Sequence, residues 1–319
     1  MTRKIILDCD PGIDDAIAIT MALFDPRLEV VGITATAGTV DAERSLHNVS
    51  ALVASLDPPK YPRIGSAVPS GDLAVASDDD LHGRDGLGET DPPASIPHQP
   101  TPSDRLIAEL ATAHPGEVTI VCLGPLTNLA NVVRFEPTAV EAIDQVIISG
   151  GCIAAPGNAG PSRERNMAFH PAAASVVFGS ALTKRLVPLD VTEDVSFGVD
   201  LLDMIPDRHV GPGNLLHRML SYAFRQSHER LGRELLPLYD PVTLVALTDP
   251  DWFAWETMAA RVETEGGLTR GMTLFDQRLR RKWSPNMDVA RGADGEMVAD
   301  AVSTGLRMSL TRAGGGRRT

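Results

Sequence analysis

The sequence predicts an α/β protein: a single domain with a Rossmann-like, mostly parallel central sheet and helices on both faces. Three observations carry this prediction. Two short apolar runs, Ile5–Leu7 and Val30–Thr34, enclose a helix-spaced segment from Ala16 to Phe24, the strand–helix–strand rhythm of a parallel sheet. Polar and glycine-rich residues gather where apolar runs stop, as they do at the carboxyl edge of open α/β sheets, where sites are built. No internal repeat or linker interrupts the 319 residues, so residues 1–312 read as one domain and 313–319 as a flexible basic tail carrying Arg317 and Arg318.

The elements follow in order. Ala42 to Leu56 carries Leu46, Val49, Leu52, Val53 and Leu56 at helical spacing and stops at Asp57-Pro58-Pro59. From Gly65 to Pro102 the chain is rich in Pro, Gly, Ser and Asp; a loop of that length inside a domain is expected to cover a site. A helix is predicted from Ser103 to His114, then the strand Val118–Leu123, a Gly124–Asn128 junction, and a helix to Phe135. The strand Val146–Ser149 ends in a glycine-containing loop through Asn166. A helix from Pro171 to Phe178 precedes a strand at Arg185–Leu189. Asn214 to Leu231 is a long amphipathic helix, and Asp240 to Leu247 a short apolar one with Pro241 in its first turn. Strands are expected around Val262, at Thr273–Phe275 and at Met287–Ala290, and a closing helix from Glu296 to Leu310.

Composition narrows the function. A formal charge of −13 argues against a nucleic-acid surface, which needs clustered Lys and Arg. The basic run from Arg278 to Lys282 reads as a solvated edge. Cys9, Cys122 and Cys152 have no metal-binding spacing and sit in or beside apolar segments, so buried reduced thiols are expected. No run of about 18 apolar residues occurs, and the chain opens straight into a strand. A soluble cytoplasmic protein is the expectation.

The chemistry concentrates in Asp8-Cys9-Asp10-Pro11-Gly12-Ile13-Asp14-Asp15, four carboxylates in eight residues at the end of a strand. Charges that close repel unless something positive holds them, and a hard cation with oxygen ligands, Ca²⁺ or Mg²⁺, is the simplest answer. Helix capping by Asp14 and Asp15 accounts for part of the cluster but not for Asp10. The spacing excludes an EF-hand, since position twelve from Asp8 is Ile19. Gly124–Asn128, Gly150–Asn166 and Tyr239-Asp240-Pro241 are further junctions that a parallel sheet would bring to the same edge. No dinucleotide or Walker pattern is present, and no G-x-S-x-G serine motif. Hydrolysis by a positioned water therefore fits better than acyl chemistry.

Asp8 to Ala16 resembles the signature of the nucleoside hydrolases of the inosine-uridine-preferring type. His82-Gly83-Arg84-Asp85-Gly86-Leu87-Gly88 resembles the family's H-G-x-D-G-L-G, Gly124–Asn128 its G-P-L-T-N, and Pro156-Gly157-Asn158 with Glu164 and Asn166 its P-G-N…E-x-N. Asp240-Pro241, Thr269-Arg270-Gly271 and Pro285-Asn286 match later elements in family order. The resemblance implies cleavage of the N-glycosidic bond of ribonucleosides to ribose and free base, through an oxocarbenium-like transition state. It implies Ca²⁺ held by Asp10, Asp15, the backbone carbonyl of Thr127, and Asp240, with Asp10 as the base that activates a water on the metal. Asp14, Asn158, Glu164, Asn166 and Asp240 would meet the sugar, with Asp8 behind them orienting the loop. It further implies a homodimer or homotetramer.

The chain departs from the family pattern in the half of the site that faces the base. Thr39 stands where the family commonly has Asn as a ribose contact, Ser149 where many members have Met, Arg165 where Phe is usual, and His170 where Asp is. Tyr239 replaces the His that precedes the last metal-binding Asp and is proposed to protonate the leaving base. A phenol is a weak acid at neutral pH, which moves leaving-group assistance toward His82. Two other readings follow from the residues. One is a nucleoside- or ribose-binding relative with weak or lost hydrolysis, motivated by Tyr239 and Thr39. The other is a haloacid-dehalogenase-type phosphatase, whose Asp-x-Asp motif Asp8 and Asp10 resemble, although Gly12 stands where that motif wants Thr or Val.

Overall fold

In the computed structural model, residues 2–68, 81–96 and 98–315 are described; the 69–80 part of the long predicted loop lies outside them, as do residues 316–319 of the predicted tail. The chain opens with β1 (Arg3–Cys9), α1 (Ile13–Phe24), β2 (Leu28–Ala35), α2 (Ala42–Leu56), β3 (Arg63–Ser66) and β4 (Thr101–Pro102). It continues through α3 (Ser103–Ala113), β5 (Val118–Cys122), α4 (Thr127–Phe135), α5 (Pro137–Ala142), β6 (Ile143–Ser149), α6 (Arg165–Phe169), α7 (Pro171–Gly179) and β7 (Lys184–Val187). The last third adds α8 (Leu189–Thr192), β8 (Ser196–Phe197), α9 (Gly211–Leu231), β9 (Leu236–Pro237), α10 (Tyr239–Thr248) and β10 (Phe253–Met258). It ends with β11 (Ala260–Val262), β12 (Thr273–Phe275), β13 (Met287–Ala293) and α11 (Gly295–Gly315).

Nine strands form one sheet in the order β10-β13-β7-β6-β5-β1-β2-β3-β4. All its pairs are parallel except β10 with β13. The predicted fold class is therefore the observed one. Residues of β1 alternate between two cores, which is why its sequence is continuously apolar. Ile5, Leu7 and Cys9 pack toward α1, α2, α9, α10 and α11. Ile6 packs toward α3, α4, α5 and α7. All three cysteines are buried and reduced, and no helix among the described residues is long and apolar enough to cross a membrane.

The chain leaves β1 for β2, β3 and β4 on one side, then returns to β5 on the other. This reversal opens a crevice at the carboxyl ends of β1 and β5, the position where doubly wound sheets bind ligands. Backbone bonds prolong the pairing past the strand ends. The amide of Leu123 donates to the Asp8 carbonyl at 2.8 Å and that of Thr36 to the Cys9 carbonyl at 2.8 Å. The loops bearing the acids are thus fixed to the sheet rather than hung from it.

Several boundaries differ from the sequence prediction. The strand expected through Leu189 stops at Val187, because Pro188 and Leu189 turn into α8. The edge strand β10 was not anticipated; with partly exposed Ala254, Trp255, Glu256 and Thr257 it lacks the apolar run that marked the central strands. The closing helix α11 runs to Gly315, five residues beyond the end expected for it at Leu310.

Candidate active site

The crevice is a concave pocket that opens to solvent, the kind of place where small molecules bind. Asp10, Asp14, Asp15, Thr39, His82, Asn158, Glu164, Asn166, Tyr239 and Asp240 all line it. Residues separated by more than two hundred positions in the chain therefore meet at one sheet edge. Asp8 and Thr127, the other two sequence candidates, do not line it.

Asp10 follows β1 directly. Thr39 donates its backbone N–H to Asp10 Oδ2 at 2.5 Å, and its hydroxyl also bonds the same carboxyl. Thr39 therefore reaches the pocket mainly as a clamp on Asp10. A Cβ at Gly38 would overlap Asp10 Oδ2 and one at Gly124 would overlap Oδ1, so two glycines let the loops close on this side chain. Burial pushes the Asp10 carboxyl up to about 7, against the opposing pull of Thr39 and the Arg165 guanidinium.

Asp15 lies in the first turn of α1 and accepts the Gly12 N–H on Oδ2 at 2.9 Å. The capping role expected of it is thus real, but it uses only one oxygen. Asp15 Oδ1 is buried with no hydrogen-bond partner among the described residues. Asp240 stands at the start of α10, and ligand oxygens of Asp14, Asp15 and Asp240 lie within 4.8 Å of one another. Burial, followed by the charge of the neighbouring acids, holds the Asp15 and Asp240 carboxyls well above the usual carboxylate range. Such a cluster, all oxygen and partly orphaned, fits a hard divalent cation.

Asp8 sits one layer beneath, fully buried. Its Oδ1 accepts from Asn128 Nδ2 and from the Thr34 hydroxyl, each at 2.7 Å, and burial raises its carboxyl to about 6. Asn128 also donates to the Ala35 carbonyl at 2.9 Å, so this amide ties β1, the end of β2 and α4 together.

Thr127 opens α4, its hydroxyl meets His170 Nδ1 at 3.0 Å, and it is not among the residues that line the pocket. The strand-end residue that does is Leu123, because β5 pairing continues one residue past Cys122. The Leu123 carbonyl accepts from Asn166 Nδ2 at 2.7 Å.

The 150–166 segment provides a second polar wall. Glu164 is buried and caps α6, with Oε1 accepting from Asn166 N–H at 2.8 Å and Oε2 from the Gly151 and Met167 amides at 3.0 and 3.1 Å. Burial raises its carboxyl despite these bonds. Asn166 spends both amide hydrogens on the Leu123 and Ser149 carbonyls, which leaves its Oδ1 to accept. Asn158 Oδ1 takes the Arg165 N–H at 2.8 Å, leaving its Nδ2 to donate. The charged Arg163-Glu164-Arg165 run is therefore not the solvated surface that its composition suggests.

His82 accepts the Ile13 N–H on Nδ1 at 3.0 Å, which puts the imidazole proton on Nε2. A Cβ at Gly12 would lie 2.8 Å from that Nδ1, so the opening loop leaves room for the ring. The 81–91 turn is held by buried Asp85, which accepts from the Leu87, Glu89 and Asp91 amides. Asn48 Nδ2 bridges Asp85 O and Pro11 O, docking this turn on the acidic loop. Tyr239 donates its hydroxyl to Glu193 Oε1 at 2.6 Å. Asn48 and Glu193 carried no sequence signal, since each acts through the tertiary neighbour it finds rather than through a local motif.

Residues 5–300 match the family model described as inosine-uridine preferring nucleoside hydrolase. The chain is 33% identical over 309 residues to the pyrimidine-specific ribonucleoside hydrolase RihA of Salmonella typhi, covering 96% of this chain and 99% of that protein. It is 34% identical over 282 residues to uridine nucleosidase 1 of Arabidopsis thaliana, covering 88% and 83%. Among solved structures, the plant nucleoside hydrolase PpNRh1 superposes with a TM-score of 0.87 at 30% identity, over 96% of this chain and 99% of that one. A purine-preferring ribonucleoside hydrolase from Gardnerella vaginalis gives 0.88 at 25% identity, over 97% and 100%. The acids at the switch point, the ordered motifs and these matches agree: the chain belongs to the nucleoside hydrolase family and is a nucleoside hydrolase.

Proposed function

We propose that this nucleoside hydrolase uses Ca²⁺ and the Asp10 carboxylate to hydrolyse ribonucleosides, with a pyrimidine ribonucleoside such as uridine as a preferred substrate. The observation that carries the reading is the buried cluster of Asp10, Asp15 and Asp240, whose like charges and unpartnered Asp15 Oδ1 call for a cation. Asp10, Asp15 and Asp240 would hold the cation, with the backbone carbonyl of Thr127, or that of pocket-lining Leu123, as a further oxygen. When bound, Ca²⁺ supplies charge compensation and an oxygen-seeking centre for water and sugar hydroxyls.

The chain's own groups perform the rest. Asp14 and Asn166 Oδ1 accept from sugar hydroxyls, Asn158 Nδ2 donates to one, and Glu164 keeps one acceptor position on Oε1. Asp10 takes the proton of the attacking water as the C1′–N bond breaks and its electron pair leaves with the base. Thr39 holds Asp10 in orientation for that transfer. His82, with Nδ1 occupied by the Ile13 amide, assists through the Nε2 hydrogen by stabilising charge on the departing nitrogen. Pyrimidine preference is supported by the RihA and uridine nucleosidase relatives. A homodimer or homotetramer is the assembly proposed, to be read by sedimentation equilibrium.

The test is a panel of uridine, cytidine, inosine and adenosine assayed for reducing sugar with a chelator and with restored Ca²⁺. Ribose release that is fastest with uridine and falls on chelation is expected. Nucleoside binding by calorimetry with no base release, or phosphate release from phosphomonoesters instead, would replace this reading by one of its rivals.

A further inference from the structure

The Tyr239 hydroxyl belongs to a three-residue chain built from the ends of three helices. Tyr239 opens α10 and donates to Glu193 Oε1 at 2.6 Å. Glu193 directly follows α8, and its other oxygen, Oε2, accepts from Arg233 Nη1 at 3.1 Å. Arg233 follows Gly232, the left-handed cap of α9 (φ 63°), and its N–H bonds the Ser227 carbonyl at 3.2 Å. An ion-paired carboxylate only accepts, so the phenolic hydrogen is committed to Glu193. Toward the pocket, Tyr239 has only lone pairs to offer. Beside it the lining is apolar, with Leu189, Ala223, Leu236 and Leu238, whereas Asn158, Glu164 and Asn166 supply a polar wall from another segment. An apolar wall suits a planar base and the polar wall suits a sugar.

We infer that Glu193 and Arg233 fix Tyr239 as a hydrogen-bond acceptor toward the base, so that the pocket selects a ribonucleoside whose base carries an N–H. The inference rests on the hydrolase reading above and deepens it. Tyr239 then does not protonate the leaving group, contrary to the role expected from its place in the sequence. Glu193 and Arg233 are positioning residues that act through it. A base without the donor leaves the phenol oxygen unpaired in a desolvated pocket, which lowers kcat/KM by roughly 10- to 100-fold.

The experiment compares kcat/KM for uridine and 3-methyluridine, which lacks the only base N–H, in the wild type, Tyr239→Phe and Glu193→Gln. Wild type is expected to favour uridine by roughly 10- to 100-fold. Tyr239→Phe is expected to bring the ratio to within about threefold, chiefly by raising KM for uridine. In Glu193→Gln the amide carbonyl stays on Arg233 and its N–H faces Tyr239, which turns the phenolic hydrogen toward the pocket. The ratio is again expected to collapse, with the ring still in place. An unchanged ratio in both variants would overturn the inference, as would a Tyr239→Phe that lowers kcat equally for both substrates and shifts the pH profile. Equal use of the two nucleosides by the wild type would overturn it and leave the hydrolase reading intact. Absence of ribose release from every nucleoside would overturn both.

Discussion

Removing Ca²⁺ should destabilise the protein in a pH-dependent way, and the size of the effect follows from Asp10. Its carboxyl is pushed from 3.8 up to about 7 in the metal-free fold, chiefly by burial. A folded value above the unfolded one means that the stabilising contribution of the protonated acid is present below about pH 4 and is lost as pH rises through 7. At about 1.4 kcal/mol per pH unit, the loss is on the order of 4 kcal/mol for this side chain. A cation at neutral pH binds the ionised form and offsets the cost. At 100 times its Kd it contributes about 2.7 kcal/mol. With an unfolding entropy near 2.1 cal/mol/K per residue, that is roughly 4 °C for a chain of 319 residues. At pH 5.5 protonation of Asp10 weakens binding about 30-fold, and the same Ca²⁺ concentration should raise Tm by only about 1 °C. Scanning calorimetry of chelated and Ca²⁺-restored protein at pH 7.5 and 5.5 measures both shifts, and Asp10→Asn should narrow the difference between them, the remainder coming from the raised Asp15 and Asp240 carboxyls. A Ca²⁺ shift absent at pH 7.5, or undiminished at pH 5.5, would refute the assignment of the cluster as a cation site.

Two further outcomes test the supports of the site. Asn128→Leu strips Asp8 Oδ1 and the Ala35 carbonyl of a buried donor. It should cost about 1–3 kcal/mol in urea unfolding. Gly38→Ala places a methyl group against Asp10. It should lower kcat by about tenfold or more while circular dichroism stays unchanged.

Much of this was legible in the sequence because it depends on local pattern. The continuous apolar run of β1 marks a strand covered on both faces, and the acids that follow it sit where the fold puts its sites. Ten of the candidate residues line one pocket because a parallel sheet gathers its strand ends. What was not legible depends on partners distant in the chain. Thr127 and Leu123 are four residues apart, and only the extra β5 pairing to Asp8 shows which of them faces the crevice. The bonds that join Tyr239 to Glu193 and Glu193 to Arg233 link three helix ends that no local motif connects. Glu164 reads as exposed charge until three backbone amides enclose it.

Turnover of uridine by Asp10→Ala reads the proposed transfer of the attacking water's proton to Asp10. With Ca²⁺ present, kcat should fall by about 10³-fold or more, in a protein whose circular dichroism matches the wild type. Ribose release by the folded variant within tenfold of the wild-type rate would contradict that transfer.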